Sequence, residues 1–229
     1  MKFSINQLNP RRWNRETKQI LSTLSGLLIL CAVFAILSPY FFTVNNILTV
    51  ATQTAVIAII AIGQSYVMIT GGIDLSIGSN IALSGMVAGL SMAGGIPVLL
   101  SCFIGILAGT IVGLLNGLMV SYANMPPFIA TLGTMTAVRG ISLTLTQGIP
   151  VSGLPSTFTV IGTGKTLGIP NPVIFMLILT LIFAFILAKT KLGRYIYASG
   201  SNIDAARLSG VNTKLVLTIT YIFSGFLAS

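Results

Sequence analysis

Histidine is absent from this chain, and only three residues, Glu16, Asp74 and Asp204, are acidic. General acid–base catalysis and most metal centres draw on spaced sets of His, Asp, Glu and Cys, so neither a catalytic residue nor a metal-ligand set is assigned. The cysteines, Cys31 and Cys102, stand singly within apolar stretches, which excludes a disulfide framework or a redox pair. Charge of either sign is scarce. Charged residues make up 7% of the sequence, against about a quarter in an average soluble domain.

What is present in abundance is hydrocarbon. The 229 residues are 54% hydrophobic, with a mean hydropathy of +0.98. Windows of about twenty apolar residues predict complete membrane spans near 20–41, 50–69, 75–93, 98–120, 128–146 and 173–188. A seventh begins near Leu215 and reaches Ser229, so the chain reads as a fragment of a longer protein. The expected class is an all-α, polytopic integral membrane protein. Its domains are a basic N-terminus over 1–19 and a transmembrane domain over 20–229. The first apolar segment is too long for a signal-peptide core and lacks a small-residue cleavage site, so it reads as an uncleaved span.

The net charge of +9 is concentrated in two clusters beside apolar stretches, with no basic face interleaved with aromatics. That pattern marks membrane orientation and excludes nucleic-acid binding. Lys2, Arg11, Arg12, Arg15 and Lys18 place the N-terminus in the cytoplasm. Lys189, Lys191, Arg194, Arg207 and Lys214 place the segment 189–213 there too, and six crossings between the clusters satisfy both. The connection 147–171, rich in Gly, Pro, Ser and Thr with Lys165 its one charge, then faces outside as a docking surface or a plain connector.

Asp74 stands within the run Thr70-Gly71-Gly72-Ile73-Asp74-Leu75-Ser76-Ile77-Gly78-Ser79. Between Lys18 and Lys165 the one other charge is Arg139. An ionised group in hydrocarbon costs at least ~2.5–3.5 kcal/mol, so such residues carry function or sit at an interface. Gly71 and Gly72 free the backbone to break a helix there. Two readings stay open: Asp74 N-caps the third helix, or the break is part of a pathway or its gate. Arg139 either snorkels to the outer interface or pairs with Asp74, the latter requiring a re-entrant segment.

Gly105, Gly109, Gly113 and Gly117 recur every fourth residue in the fourth span, a groove for close backbone approach, and Gly85 and Gly89 repeat the spacing in the third. Asn116 hydrogen-bonds a neighbouring helix or lines a path. In the cytoplasmic segment, Ser201 or Asn202 caps a helix of about two turns, Asp204 suits its first turn and Gly210 ends it. With Ala205 and Ala206 beside Leu208, that helix can seat in a partner's groove. The run Gly162-Thr163-Gly164-Lys165-Thr166 lacks the first glycine of a phosphate-binding loop, which is Thr159 here.

At these residues the chain resembles permease subunits of ribose-type ABC sugar importers, within the branched-chain amino acid permease superfamily. Gly71 through Ser79 is similar to that family's signature. So are Asn116-Gly117, the run Pro126-Pro127-Phe128-Ile129-Ala130-Thr131-Leu132-Gly133-Thr134 and Arg139-Gly140. Gly193-Arg194 through Asp204-Ala205-Ala206 to Gly210 resembles its coupling motif, with Asp where Glu is usual. The resemblance implies a subunit of the bacterial inner membrane that translocates a ribose-like pentose or a hexose. It implies three partners besides membrane lipid: a two-domain ATPase, an extracytoplasmic sugar-binding protein, and a second permease subunit, identical or paralogous. No cofactor is expected in this chain, because ATP is bound by the ATPase. Asn202, Asp204, Ala205, Ala206, Arg207 and Gly210 would meet that ATPase. Gly71, Gly72, Asp74, Ser76, Asn116, Thr131 and Arg139 would form the pathway or gate. A nucleoside importer and an ion-coupled secondary transporter are the alternative readings.

Overall fold

A computed structural model describes residues 15–229; the N-terminal basic residues Lys2, Arg11 and Arg12 lie outside these, as does the side chain of Arg15. The chain divides into two compact units, Met1–Val50 and Ala51–Ser229. Helix α1 (Arg15–Leu37) ends four residues short of the expected span because Pro39 follows: the residue before a proline is pushed out of helical geometry. Helix α2 (Val44–Ile69) starts six residues earlier than its apolar window. The Thr43 hydroxyl accepts from the Asn46 N–H at 3.4 Å, a capping contact to which hydropathy is blind.

In the larger unit follow α3 (Ile77–Ala93), α4 (Val98–Ser121), α5 (Pro127–Thr146), α6 (Ser156–Thr163), strands β1 (Lys165–Thr166) and β2 (Ile169–Pro170), α7 (Asn171–Lys189), α8 (Lys191–Ser201), α9 (Ile203–Leu208) and α10 (Thr213–Ala228). The all-helical, multi-pass reading holds. Among the described residues five helices, α1, α2, α4, α5 and α7, are long and apolar enough to cross a membrane. The expected third span is shorter than its window. Helix α3 has 17 residues, about 25 Å at 1.5 Å each, against a hydrocarbon core of about 30 Å.

The connection 147–171 is more ordered than its composition suggests. It contains α6 and an antiparallel hairpin, Lys165 opposite Pro170 and Thr166 opposite Ile169. Gly162 through Thr166 straddles the end of α6 and β1, so no strand–loop–helix phosphate cradle exists there.

Two kinds of packing hold the helices of this unit. One is aromatic: Tyr66 of α2, Phe183 of α7 and Phe223 of α10 meet edge to face with centroids 5.1–5.7 Å apart, and the Tyr66 hydroxyl donates to the Phe183 carbonyl. Ile196 of α8 and Val216 and Leu227 of α10 complete this core. The other is the glycine ridge of α4. A Cβ on Gly105 would lie 2.7 Å from the Ser84 carbonyl of α3, and one on Gly117 would lie 2.9 Å from the Thr218 Cα of α10. The ridge therefore receives α3 at one end and α10 along the rest. The α3 glycines do not repeat this: a Cβ on Gly85 would meet nothing within 4 Å, and one on Gly89 would meet Val151, not a helix.

Candidate functional site

The end of α2 shows why two glycines stand before Asp74. The Gly71 N–H donates to the Met68 carbonyl and the Gly72 N–H to the Val67 carbonyl, both at 3.0 Å, with Gly71 at φ +79°. This is the paired-bond cap that closes a helix through a left-handed residue, and glycine alone adopts that φ without steric penalty. Gly72 answers a different demand. A Cβ there would lie 2.6 Å from the Tyr221 hydroxyl and 2.9 Å from the Val67 side chain.

From Gly72 to Ser76 the backbone is non-helical, with residues 72, 74 and 76 buried. The Ile73 carbonyl accepts from Tyr221 at 3.3 Å and from Thr131 at 3.4 Å; Thr131 also donates to the Pro127 carbonyl at 2.8 Å. Asp74 is 5% exposed. Its Oδ1 accepts from the Ser76 N–H at 2.9 Å and the Ser76 hydroxyl at 2.7 Å, and its Oδ2 accepts from the Ser224 hydroxyl at 2.7 Å. Asn116 of α4 donates to the Ser76 oxygen at 2.8 Å, linking a third helix. Hydrogen bonds to a charged acceptor are the strong kind, and here they replace the water that burial removed.

Both structural readings of Asp74 need correction. It does not cap α3 in the usual way: Ser76 occupies the cap position with no side-chain cap bond, and Asp74 reaches one backbone N–H, that of Ser76, before the helix begins. Nor does it pair with Arg139, which is exposed on α5; among the described residues the salt bridge present is Arg207–Asp204 at 3.7 Å. Asp74 also does not stop level with the C-terminal end of α2. Ser224 stands roughly 17 Å along α10 from its first residue, so the reversal at Gly71 sends the chain deep among the helices. Gly71, Gly72, Asp74, Ser76, Asn116 and Thr131 thus come together, and Arg139 does not join them.

Three participants escaped the sequence reading: Ser224, Tyr221 and Asn80. Asn80 donates to the carbonyls of Gly109 (3.1 Å) and Gly225 (3.2 Å) and ties α3 to the α4–α10 seam. A signal existed, because Thr218, Tyr221, Ser224 and Gly225 recur at helical spacing in an otherwise apolar run.

The second cluster surrounds α9. The Asn202 Oδ1 accepts from the N–H groups of Asp204 (3.1 Å) and Ala205 (2.9 Å), and Gly210 (φ +84°) closes the helix with the same paired bonds seen at Gly71. Caps at both ends are as expected. Two features are not. Helix α8, capped by the Thr190 hydroxyl toward the Gly193 N–H at 3.2 Å, precedes it and had no apolar window to announce it. Ala206 is buried, so a partner would meet Ala205, Arg207 and the 90%-exposed Leu208 instead; on so short a helix one position is all that turns inward. The close of α8 rests on the close of α2: a Cβ on Gly200 would overlap the Ile69 carbonyl and lie 3.4 Å from the Thr70 Cα. The two motifs, distant in sequence, are neighbours. Replacing Asn202 with alanine is expected to remove about 1 kcal/mol of local stability. Faster hydrogen exchange at amides 204 and 205, with α7 unaffected, would register it.

Comparison with known proteins follows the same residues. Residues 46–229 match the family described as branched-chain amino acid transport system / permease component. The ribose import permease protein of Haemophilus influenzae is 42% identical over 208 residues, which is 89% of this chain and 64% of that protein. The D-allose transport system permease protein of Escherichia coli is 41% identical over 204 residues, 88% of this chain and 63% of that protein. The galactofuranose transporter permease protein of the same organism is 34% identical over 228 residues, 95% and 65% respectively. The chain thus spans about two thirds of the length of these relatives. No solved structure matches it significantly.

Proposed function

Because the chain belongs to the branched-chain amino acid transport permease family, we propose that it is the membrane-spanning subunit of an ATP-binding cassette importer for a small sugar, a ribose-like pentose or a hexose. A two-domain ATPase drives it from the cytoplasm, an extracytoplasmic sugar-binding protein delivers cargo, and a second permease subunit completes the path. The setting is the bacterial inner membrane with the N-terminus inside. The basic residues Lys189, Lys191, Arg194, Arg207 and Lys214 support a cytoplasmic position for α8 and α9.

The observation that carries the reading is α9 itself. Both of its ends are capped within the chain, which makes six residues rigid, while Leu208 projects with nothing among the described residues covering it. A lever needs that combination: a stiff body, an apolar tip for a partner, and direct attachment to a span. Asn202 and Gly210 hold the lever, Asp204 and Arg207 pair across its exposed side, and Ala206 anchors it inward. ATP is bound and hydrolysed by the partner, so this subunit carries no cofactor. The path is assigned to the break, with Gly71, Gly72, Asp74, Ser76, Asn116 and Thr131 as its built wall and Arg139 as a separate exposed contributor on α5.

Proteoliposomes containing the full-length permease with its ATPase and binding protein should accumulate labelled ribose only when all three proteins and ATP are supplied. Undiminished accumulation without the ATPase would contradict the proposal and favour a secondary transporter. Leu208→Asp should lower uptake by about tenfold, as loss of an apolar anchor at an interface does, without reducing the amount of permease in the membrane.

A further inference from the structure

The face of α10 that meets the break was not assigned by any motif, and its contacts form a continuous series. Thr218 shares a hydrogen bond with Ser121 at 2.8 Å; Tyr221 donates to the Ile73 carbonyl; Ser224 donates to Asp74; the Gly225 carbonyl accepts from Asn80. Residues 218, 221, 224 and 225 share one side of a helix. At the other end, α10 is joined to α9 with little slack. The Val211 N–H bonds the Ala206 carbonyl at 3.1 Å, Val211 packs into the Tyr66–Phe183–Ile196–Val216 core, and the Asn212 side chain caps α10 through the Leu215 N–H at 3.1 Å.

One of these pins, Thr218 to Ser121, belongs to the seam that α10 makes with α4, and the rest of that seam is largely backbone contact. Around Gly113 and Gly225 the two helices meet backbone to backbone, a Cβ on Gly225 lying 2.8 Å from the Gly113 Cα. Contact this close seats α10 firmly on α4, and the Ser121–Thr218 bond and the Asn80 bridge to the Gly109 and Gly225 carbonyls hold the two helices together. Ser224 and Tyr221 grip the non-helical segment 72–76, which Thr131 also holds at the Ile73 carbonyl and Asn116 at Ser76. Ser224 and Tyr221 therefore connect α10 directly to the break.

Resting on the importer reading, we infer that Ser224 and Tyr221 are positioning residues that transmit displacement of the α9 lever through α10 into the Gly71–Ser76 break. Ser224 acts on the Asp74 carboxylate and Tyr221 on the Ile73 carbonyl. Neither is required to touch cargo or nucleotide.

The test is uptake measured beside ATP hydrolysis in the reconstituted full-length importer with its ATPase and binding protein. Ser224→Ala and Tyr221→Phe are each expected to lower uptake about tenfold, the scale of one buried hydrogen bond to a charged or backbone acceptor, while hydrolysis stays within about twofold. Ser224→Thr, which keeps the hydroxyl, should restore the ratio of uptake to hydrolysis. Wild-type uptake in both variants would overturn the inference. So would a parallel loss of uptake, hydrolysis and melting temperature, since that marks side chains that merely hold the fold. If the wild-type complex itself shows no ATP-dependent uptake, the importer reading fails, and the inference with it.

Discussion

Gly113→Leu is expected to eliminate nearly all correctly folded protein. A Cβ at this position would overlap the Tyr221 carbonyl and lie 3.0 Å from the Gly225 Cα and 3.1 Å from its nitrogen, all of them backbone atoms. No rotamer change relieves such a contact, and α10 must move away from α4 as a body. Extra atoms forced into a packed interior cost about 1–3 kcal/mol where side chains can yield, and more where they cannot. Separation would also break the bonds from Ser224 to Asp74 and from Asn80 to the Gly225 carbonyl, leaving buried polar groups unpaired. The monodisperse fraction after detergent extraction and size-exclusion chromatography is the readout. Gly133→Leu on α5, where a Cβ meets nothing within 4 Å, is the control and should behave as wild type. Equal behaviour of the two variants would show that the α4–α10 contact is not required.

Asp74→Leu is expected to have the next largest effect, and Asp74→Asn a much smaller one. Leucine removes the acceptor for three donors, the Ser76 N–H, the Ser76 hydroxyl and the Ser224 hydroxyl. Each buried donor left unmade costs about 1–3 kcal/mol, so several kcal/mol should be lost. Asparagine keeps one carbonyl oxygen, and a serine hydroxyl can turn to accept from the new amide. The melting temperature of purified protein should fall sharply for the leucine variant and slightly for asparagine. The double exchange Asp74→Arg with Arg139→Asp should not recover what Asp74→Arg loses, because Arg139 is exposed and outside the Asp74 cluster. Full recovery would show that the two charges do meet.

These particulars explain how much was legible beforehand. The spans followed from apolar length, since a single apolar segment of about twenty residues satisfies its own backbone in hydrocarbon only as a helix. The caps at Asn202 and Gly210 and the glycine ridge of α4 followed from local chemistry that needs no knowledge of distant residues. The partner of Asp74 did not. Ser224 is 150 positions away, and serine in an apolar run more often bonds its own helix, as Ser142 does to the Val138 carbonyl. A charge also invites a search for the opposite charge, which is why Arg139 was considered while the donors that serve Asp74 are a backbone N–H and two hydroxyls. Helix α8 escaped because it lies outside every apolar window, and the inward turn of Ala206 because small residues carry no hydropathic direction on a helix of six residues.

The proposed coupling requires that α9 be presented on the cytoplasmic side of the membrane. Cysteine placed at Leu208, in a chain whose Cys31 and Cys102 are replaced by alanine, can be challenged with a membrane-impermeant maleimide. Modification should occur in inverted vesicles and not in intact cells, and adding the ATPase subunit should block it. Modification from the outside of intact cells would contradict the account.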